Sequence, residues 1–286
     1  MTEAVELGHL SYSRLSSYIK CGESYRLRFI EGVEPEPSGA AMAGRAVHSV
    51  IEEMLLDGWF VRPDVVEDQG AKLFQVRFDE GLAEVGGPDA VRWGGQKRLL
   101  RDENNKPVLD EDGAQIKVGE NYPWMCKMGP TWVKRAGAQL RRDLATGIQV
   151  VETSIEQKVS RFLDDPGSLL ITGIVDVMVF ADNEDKPRVR DWKTGTFVDA
   201  MQLANYAWLL AQAGIEVSIG EIAYLRGTSP ETQLRVYNID PWKSSVKRMY
   251  ADAEKGIRAD HFQLTPSSWC GSCWVRRACE YGRTLD

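Results

Sequence analysis

The sequence predicts an α/β protein, with a mixed sheet and a helical subdomain inserted or placed ahead of it. Three observations carry this expectation. Helical periodicity fills most of the first 145 residues, alternating β-branched stretches begin near residue 150, and helices and strands then take turns to residue 260.

Taken in order, "SYSRLSSYIKCGESYRLRFI" (11–30) reads as a helix. Ser11 or Ser13 caps it, and Leu15, Tyr18, Ile19 and Leu27 are spaced along it. "EGVEPEPSGA" is a Pro/Gly loop. "AAMAGRAVHSVIEEMLLDG" is a strong helix closed by Gly58, with Val47, Val50, Ile51, Met54 and Leu55 as its apolar stripe. Residues 60–85 are helical again. Residues 86–130 read as a loop-rich insertion, with a short hairpin around "KPVLDEDGAQIKV", before the helical "TWVKRAGAQLRRDLATG". "VVETSIEQKVSRFL", "SLLITGIVDVMVFAD" and "RVRDWKTG" follow as three strands of an antiparallel meander. "FVDAMQLANYAWLLAQAG" is a helix stopped by Gly214. "IEVSIGEIAYLRG" and "TQLRVYNID" are strands, and "PWKSSVKRMYADAEKGIRAD" is a helix opened by proline.

A chain of 286 residues makes one large domain or two modest ones. With 43% hydrophobic and 27% charged residues it has the composition of a soluble globular protein. No apolar run reaches membrane-span length, and the N-terminus has neither the basic start nor the apolar core of a secretory signal. The expected location is cytoplasmic, in a bacterial, archaeal or phage-infected cell, with no membrane partner and with cysteines kept reduced. The net charge of −7 weighs against a broadly basic nucleic-acid face, yet one local basic groove suffices, and there are 35 Lys and Arg.

The chemistry concentrates around "GIVDVMVF" and "VRDWKTG". Strand alternation places Asp176 with Ile174 and Met178, and places Asp191 and Lys193 on one face; a hairpin turn makes the two carboxylates neighbours. Two close carboxylates repel and would hold a proton. A hard divalent cation with oxygen ligands relieves them, polarises a phosphodiester and activates water. A nearby lysine orients that water or steadies charge on phosphate. Spacing alone fits a surface hairpin with an Asp–Lys pair equally well. His48 follows Gly44 by four residues and precedes Glu52 by four, so the three share a side of their helix. Gln202 and Tyr206 have the same spacing on the helix after the D-x-K strand.

The ordered set "GRAVH", "GIVD", "DWK" and "QLANY" resembles the RecB-type nucleases of the PD-(D/E)XK superfamily, which carry G-x-x-x-H, G-x-x-D, D-x-K and Q-x-x-x-Y in this order. The resemblance implies a restriction-endonuclease-like core and a Mg²⁺- or Mn²⁺-dependent DNA exonuclease. It implies that His48, Asp176, Asp191 and the backbone carbonyl of Trp192 hold the metal and that Lys193 positions the nucleophilic water. Gln202 and Tyr206 would support the site and contact the nucleic acid. The family usually has a further glutamate on the preceding strand, for which Glu156 in "SIEQKV" is chosen and Glu152 is the alternative.

Cys270, Cys273 and Cys279 form C-x₂-C-x₅-C, one ligand short of the usual four of a zinc or iron–sulfur site. Cys21 and Cys126 are both candidates, and spacing does not choose between them. The resemblance extends to an iron–sulfur branch that includes AddB-type and CRISPR-associated RecB-like nucleases, in which one cysteine before the core and three after it hold a 4Fe–4S cluster. It implies Cys21, Cys270, Cys273 and Cys279 as ligands and Cys126 as a free thiol; Gly22 departs from the branch, where proline often follows the first cysteine.

The resulting division is 1–30 and 263–286 as two parts of an iron–sulfur lobe, 31–145 as the helical subdomain and 146–262 as the nuclease core. Trp93, Trp124 and Trp132, interleaved with Lys97, Arg98, Arg101, Lys127, Lys134 and Arg135, form a candidate DNA passage, although core packing is the more ordinary fate of tryptophan. Arg14, Arg26, Arg28, Arg276 and Arg277 would give the lobe a basic patch. DNA is the expected partner, with a homo-oligomer or a recombination or CRISPR protein as further associations. The competing reading is a non-catalytic iron–sulfur-stabilised DNA-binding or adaptor subunit; the intact Asp176, Asp191 and Lys193 speak against it.

Overall fold

The computed structural model describes residues 8–94, 120–151, 156–164, 168–195, 199–226 and 233–285, with Ser154 and short pieces between 98 and 118. The chain opens with Leu10–Ser11 (β1) and Tyr12–Lys20 (α1). Ser11 is the cap, its hydroxyl accepting the Arg14 N–H. The helix does not run on to residue 30. Cys21 is extended (φ −164°), and Gly22–Tyr25 (α2) and a π turn over Arg26–Ile30 follow. The break has a packing cause: a Cβ on Gly22 would stand 2.6 Å from the backbone nitrogen of Gln263, so the chain bends where the C-terminal segment presses on it.

Gly39–Leu56 (α3) buries the expected stripe of Val47, Val50, Ile51, Met54 and Leu55, and Gly58 ends it in the left-handed region (φ 67°). Pro63–Ala83 (α4) packs on it. Arg98–Leu99 (β2) pairs with Lys117–Val118 (β3), and an antiparallel bridge joins Leu109 and Gln115 inside the predicted hairpin. Tyr122–Ala145 (α5) starts nine residues earlier than the loop expectation allowed. "GENYP" is a helix start and not a turn, because Asn121 accepts the Trp124 N–H and Pro123 lies in the first turn; Pro130 sits inside the helix. Glycine at 129 lets α4 and α5 close, since a Cβ there would overlap the Phe74 ring.

The predicted meander is divided between two sheets. Its first strand is kept as Gln157–Phe162 (β5), with Ile148–Val150 (β4) lying almost wholly ahead of it, and its second splits into Leu170–Val175 (β6) and Val177–Ala181 (β7), broken at Asp176. Then come Arg188–Lys193 (β8), Ala200–Ala211 (α6), Ile219–Tyr224 (β9), Gln233–Asn238 (β10), Asp240–Arg258 (α7) and Glu280–Arg283 (α8). The mixed five-stranded sheet has the order β10-β9-β8-β7-β4, with β8 and β9 parallel across the α6 crossover; the three-stranded sheet has the order β1-β6-β5. Alternation does not carry across the break. Ile174 is 51% exposed, whereas Met178 is buried, so the two do not share a face with Asp176.

The large sheet has a core on each side. One gathers Leu15, Ile171, Val189, Leu203, Ile222 and Tyr250 under α6 and α7. The other gathers Val47, Phe74, Trp132, Val177, Trp192 and Ala223 under α3, α4 and α5. The chain's early and late segments meet: Tyr18 donates to the His261 carbonyl at 2.8 Å, Tyr25 stacks on Phe262, and the Glu36 N–H donates to the Trp274 carbonyl at 2.9 Å. No helix among the described residues is long and apolar enough to cross a membrane.

Candidate active site

Along β8 the side chains alternate, so Val189, Asp191 and Lys193 turn to one core while Arg190 and Trp192 turn to the other. Lys193 Nζ lies 2.7 Å from Asp191 Oδ2 and donates to Gln202 Oε1 at 3.0 Å. Gln202 in turn donates to the Tyr206 hydroxyl at 2.6 Å, one turn along α6. The glycine of "GIVD" permits this. A Cβ on Gly173 would stand 2.9 Å from Leu209 Cδ1 and 3.5 Å from the Tyr206 ring, so its absence lets α6 lie close on β6.

Asp176, at the sheet break, accepts the Trp192 N–H at 2.8 Å. The β7–β8 register pairs Val177 with Arg190, which sets Asp176 beside Asp191 at the next step, as the hairpin expectation required. His48 reaches over from α3. Its Nε2 is 2.9 Å from the Trp192 carbonyl, and its Nδ1 is 3.5 Å from Asp176 and 3.8 Å from Glu156. Gly44 keeps α3 near this loop, since a Cβ would come within 3.1 Å of Thr194 Oγ1. Glu156 does not lie on the strand where it was expected. It occupies a left-handed turn (φ 47°) just before β5, its N–H donating to the Asp176 carbonyl at 2.9 Å. Such a conformation in a non-glycine residue is strained and collects at functional sites. Glu152 lies outside the described residues.

The ligand atoms of His48, Glu156 and Asp176 all lie within 4.8 Å of one another, and among the described residues no other such group of His, Cys, Asp and Glu occurs. Asp191 stands outside that triple, on the Lys193 side. Burial, followed by the Asp176 charge, raises the Asp191 carboxyl to about 6 against the pull of Lys193. Burial also raises Asp176, opposed by His48 and reinforced by Glu156. Burial would lower His48, but Asp176, Glu156 and Asp191 together overcome it and lift the imidazole to about 9. The site therefore holds more negative charge than its cations balance. Asp191 Oδ2 is buried, with the Lys193 ammonium at 2.7 Å as its partner. Imidazole, carboxylates and a carbonyl converging on such an oxygen-rich place with excess negative charge fit a hard divalent cation.

Some supporting contacts carried no sequence signal. Tyr12 donates to Asp199 at 2.5 Å, and Asp199 also accepts the Met201 N–H at the start of α6, so α1 is tied to the helix bearing Gln202. Ser154 is buried and bridges the Val151 carbonyl and the Met178 N–H. Behind the site, Arg190 pairs with Asp143 and Glu221, and Arg188 joins Glu221 to Glu184.

The predicted DNA-contact residues are scattered. Lys97, Arg101 and the side chain of Arg98 lie outside the described residues. Trp132 is core, which corrects its assignment to a passage; Trp93 packs edge-on against Phe78, and the Arg226 guanidinium sits over Trp124. Of the lobe arginines, Arg26 pairs with Glu23 and Glu31, Arg277 pairs with Glu36, and Arg28 lies over Trp274. Arg276 reaches the Gly271 carbonyl. All five cysteines are free thiols. Cys21 forms the α1–α2 break, Ser24 one turn later touches Cys273 Sγ at 3.6 Å, and Cys279 caps α8.

The PD-(D/E)XK nuclease superfamily pattern matches residues 9–280, and the chain belongs to that superfamily. Membership implies metal-dependent phosphodiester hydrolysis. Among curated proteins, the chain is similar to the Gene 69 protein of Mycobacterium phage L5, with 22% identity over 311 aligned positions covering 94% of this chain and 95% of the relative. Among solved structures, SSO0001 aligns with 52% of this chain and 68% of its own at 19% identity, with a TM-score of 0.35.

Proposed function

We propose that this protein is a Mg²⁺- or Mn²⁺-dependent DNA exonuclease of the RecB type, acting on single-stranded or end-containing DNA in recombination, phage DNA processing or CRISPR-related processing. The observation that carries the reading is the group of His48, Glu156 and Asp176 beside the Asp191–Lys193 pair. His48, Asp176, Asp191 and the Trp192 carbonyl would hold the cation, with Glu156 the adjoining carboxylate. The metal would supply Lewis acidity to the scissile phosphate. Lys193 orients the attacking water and meets charge growing on the phosphate oxygens. Gln202 fixes the ammonium, and Tyr206 fixes Gln202. As the water oxygen bonds to phosphorus, the bond to the leaving oxygen breaks and that oxygen ends protonated.

The proposal extends to the 4Fe–4S cluster held by Cys21, Cys270, Cys273 and Cys279, in a lobe built from residues 1–30 and 263–286. It is supported by the Ser24–Cys273 contact and the packing of α1 and α2 on residues 261–263. A cluster is larger than one ion, so its thiolates stand wider apart than ligands of a single metal. Residues 31–145 then form the helical part and 146–262 the nuclease core.

The decisive assay uses end-labelled linear single- and double-stranded DNA with circular controls, with and without Mn²⁺. Metal-dependent shortening from ends supports the reading. Cutting of circles would make the enzyme an endonuclease, and no cutting by anaerobically prepared protein would favour the adaptor reading. Brown protein containing iron and sulfide supports the cluster, and stoichiometric zinc without iron refutes it.

A further inference from the structure

One turn before His48, α3 presents a second polar place that the metal group does not use. A cleft of about 140 Å³ between α3 and α4 is lined by Met42, Arg45, Ala46, Ser49, Arg77 and Gly81. Arg45, Ser49 and Arg77 line it together with the apolar Met42 and Ala46, and no carboxylate is among the lining residues. Arg45 is exposed and lies three residues from His48 and four from Ser49, so all three share a side of the helix. Neighbours at that spacing stand about 5–6 Å apart at Cβ, a short step for a polymer that carries a charge at every unit. Among the described residues, Arg77 makes only long, half-exposed contacts with Glu53 and Glu80, at 3.6 and 3.7 Å. Exposed pairs of that kind are weak and exchange readily for a better anion. Space is available as well, because among the described residues nothing lies within 4 Å of where a Cβ on Gly81 would be. The place is fixed relative to the chemistry, since adjacent Gly44 holds this turn of α3 against Thr194.

We infer that the α3–α4 cleft binds a backbone phosphate of the nucleic-acid strand, through Arg45, Arg77 and Ser49, next to the phosphate at the metal group. This rests on the nuclease reading above and adds to it a positioning subsite. Guanidinium forks suit phosphate oxygens, and contacts of this kind set register along a strand without reading sequence. The strand would run over α3, with one phosphate in the cleft and a neighbouring one over His48, Asp176 and Asp191.

The test is fluorescence anisotropy of a dye-labelled single strand binding the full chain without divalent metal, across a range of salt concentrations. The proteins compared are the parent, Arg45→Ala, Arg45→Lys, Arg77→Ala and Gly81→Glu. Glutamate at position 81 replaces a poor helix former within α4 and sets a carboxylate in the cleft, so the helix is kept while phosphate is repelled. Expected is a rise in Kd of about 3- to 10-fold for Arg45→Ala, Arg77→Ala and Gly81→Glu, and a salt slope shallower by about 0.7 per lost contact. Arg45→Lys, which retains the charge, should keep the parental slope. Parental Kd and slope in Arg45→Ala, Arg77→Ala and Gly81→Glu overturn the inference, and so does weaker binding with an unaltered slope. Cleavage by the parent is read separately. A parent that binds the strand but does not cut it removes the nuclease reading and leaves the subsite decided by the slopes, whereas a parent that does not bind removes both.

Discussion

Arg190 and Asp191 are adjacent in one strand, both almost fully buried and both ionisable, yet their surroundings treat them in opposite ways. Burial works against the Arg190 guanidinium, but Glu221 and Asp143 outweigh it and hold the group charged. Burial and Asp176 together push Asp191 up to about 6 even with Lys193 beside it. On the Arg190 side the protein supplies its own counter-charges and joins α5 to β8 and β9. On the Asp191 side it leaves negative charge unbalanced. Buried charge completed by protein partners is structural, whereas buried charge left incomplete awaits something from outside the chain.

Four experiments break or sharpen this contrast. The largest effect is expected for Lys193→Ala, which should slow DNA cleavage about 10³- to 10⁴-fold in single-turnover assays. Asp191→Asn should slow it comparably yet melt no lower than the parent, because it removes repulsion; a fall of many degrees would assign Asp191 a structural role. Next, Arg190→Ala leaves Asp143 and Glu221 facing an uncompensated void and should cost about 3–5 kcal/mol in denaturant unfolding. An unchanged midpoint would dissolve the distinction between the two sides. Third, Mn²⁺ at a hundred times its Kd should stabilise the parent by about 2.7 kcal/mol in thermal unfolding. Asp176→Asn should lose most of that gain, and an equal gain would put the metal elsewhere. The smallest effect belongs to Tyr12→Phe. Loss of the Asp199 hydrogen bond should cost about 1 kcal/mol and slow cleavage less than tenfold, through a looser α6. Parental rate and stability together would uncouple α1 from the site.

Part of the Asp191 side of β8 was legible beforehand. D-x-K spacing puts Asp191 and Lys193 on one face by alternation alone, whereas His48 and Gln202 were expected beside them from the resemblance of the ordered motifs and not from helical spacing. The structural side was not legible. Arg190 reads as one more polar residue in "RVRDWK", and its partners Asp143 and Glu221 lie on separate elements, which no local pattern links. Alternation also failed where the chain leaves one sheet for another. It assumes a continuous strand, and Asp176 and Glu156 both sit where continuity stops. The prolines of "NYPWMCKMGP" concealed the start of α5 because the same residues serve turns and helix starts.

The bend at Gly22 also bears on how the molecule is made. Residues 18–25 find their covering partners, His261, Phe262 and Gln263, only once the long stretch of chain between them has been synthesised. Pairing across such a sequence separation is slow to form. While the ribosome is still working, Tyr18 and Tyr25 lack their aromatic neighbour, and the first helix is an unfinished surface open to chaperones and proteases. What covers α1 and α2 is therefore made after the strands and helices that lie between.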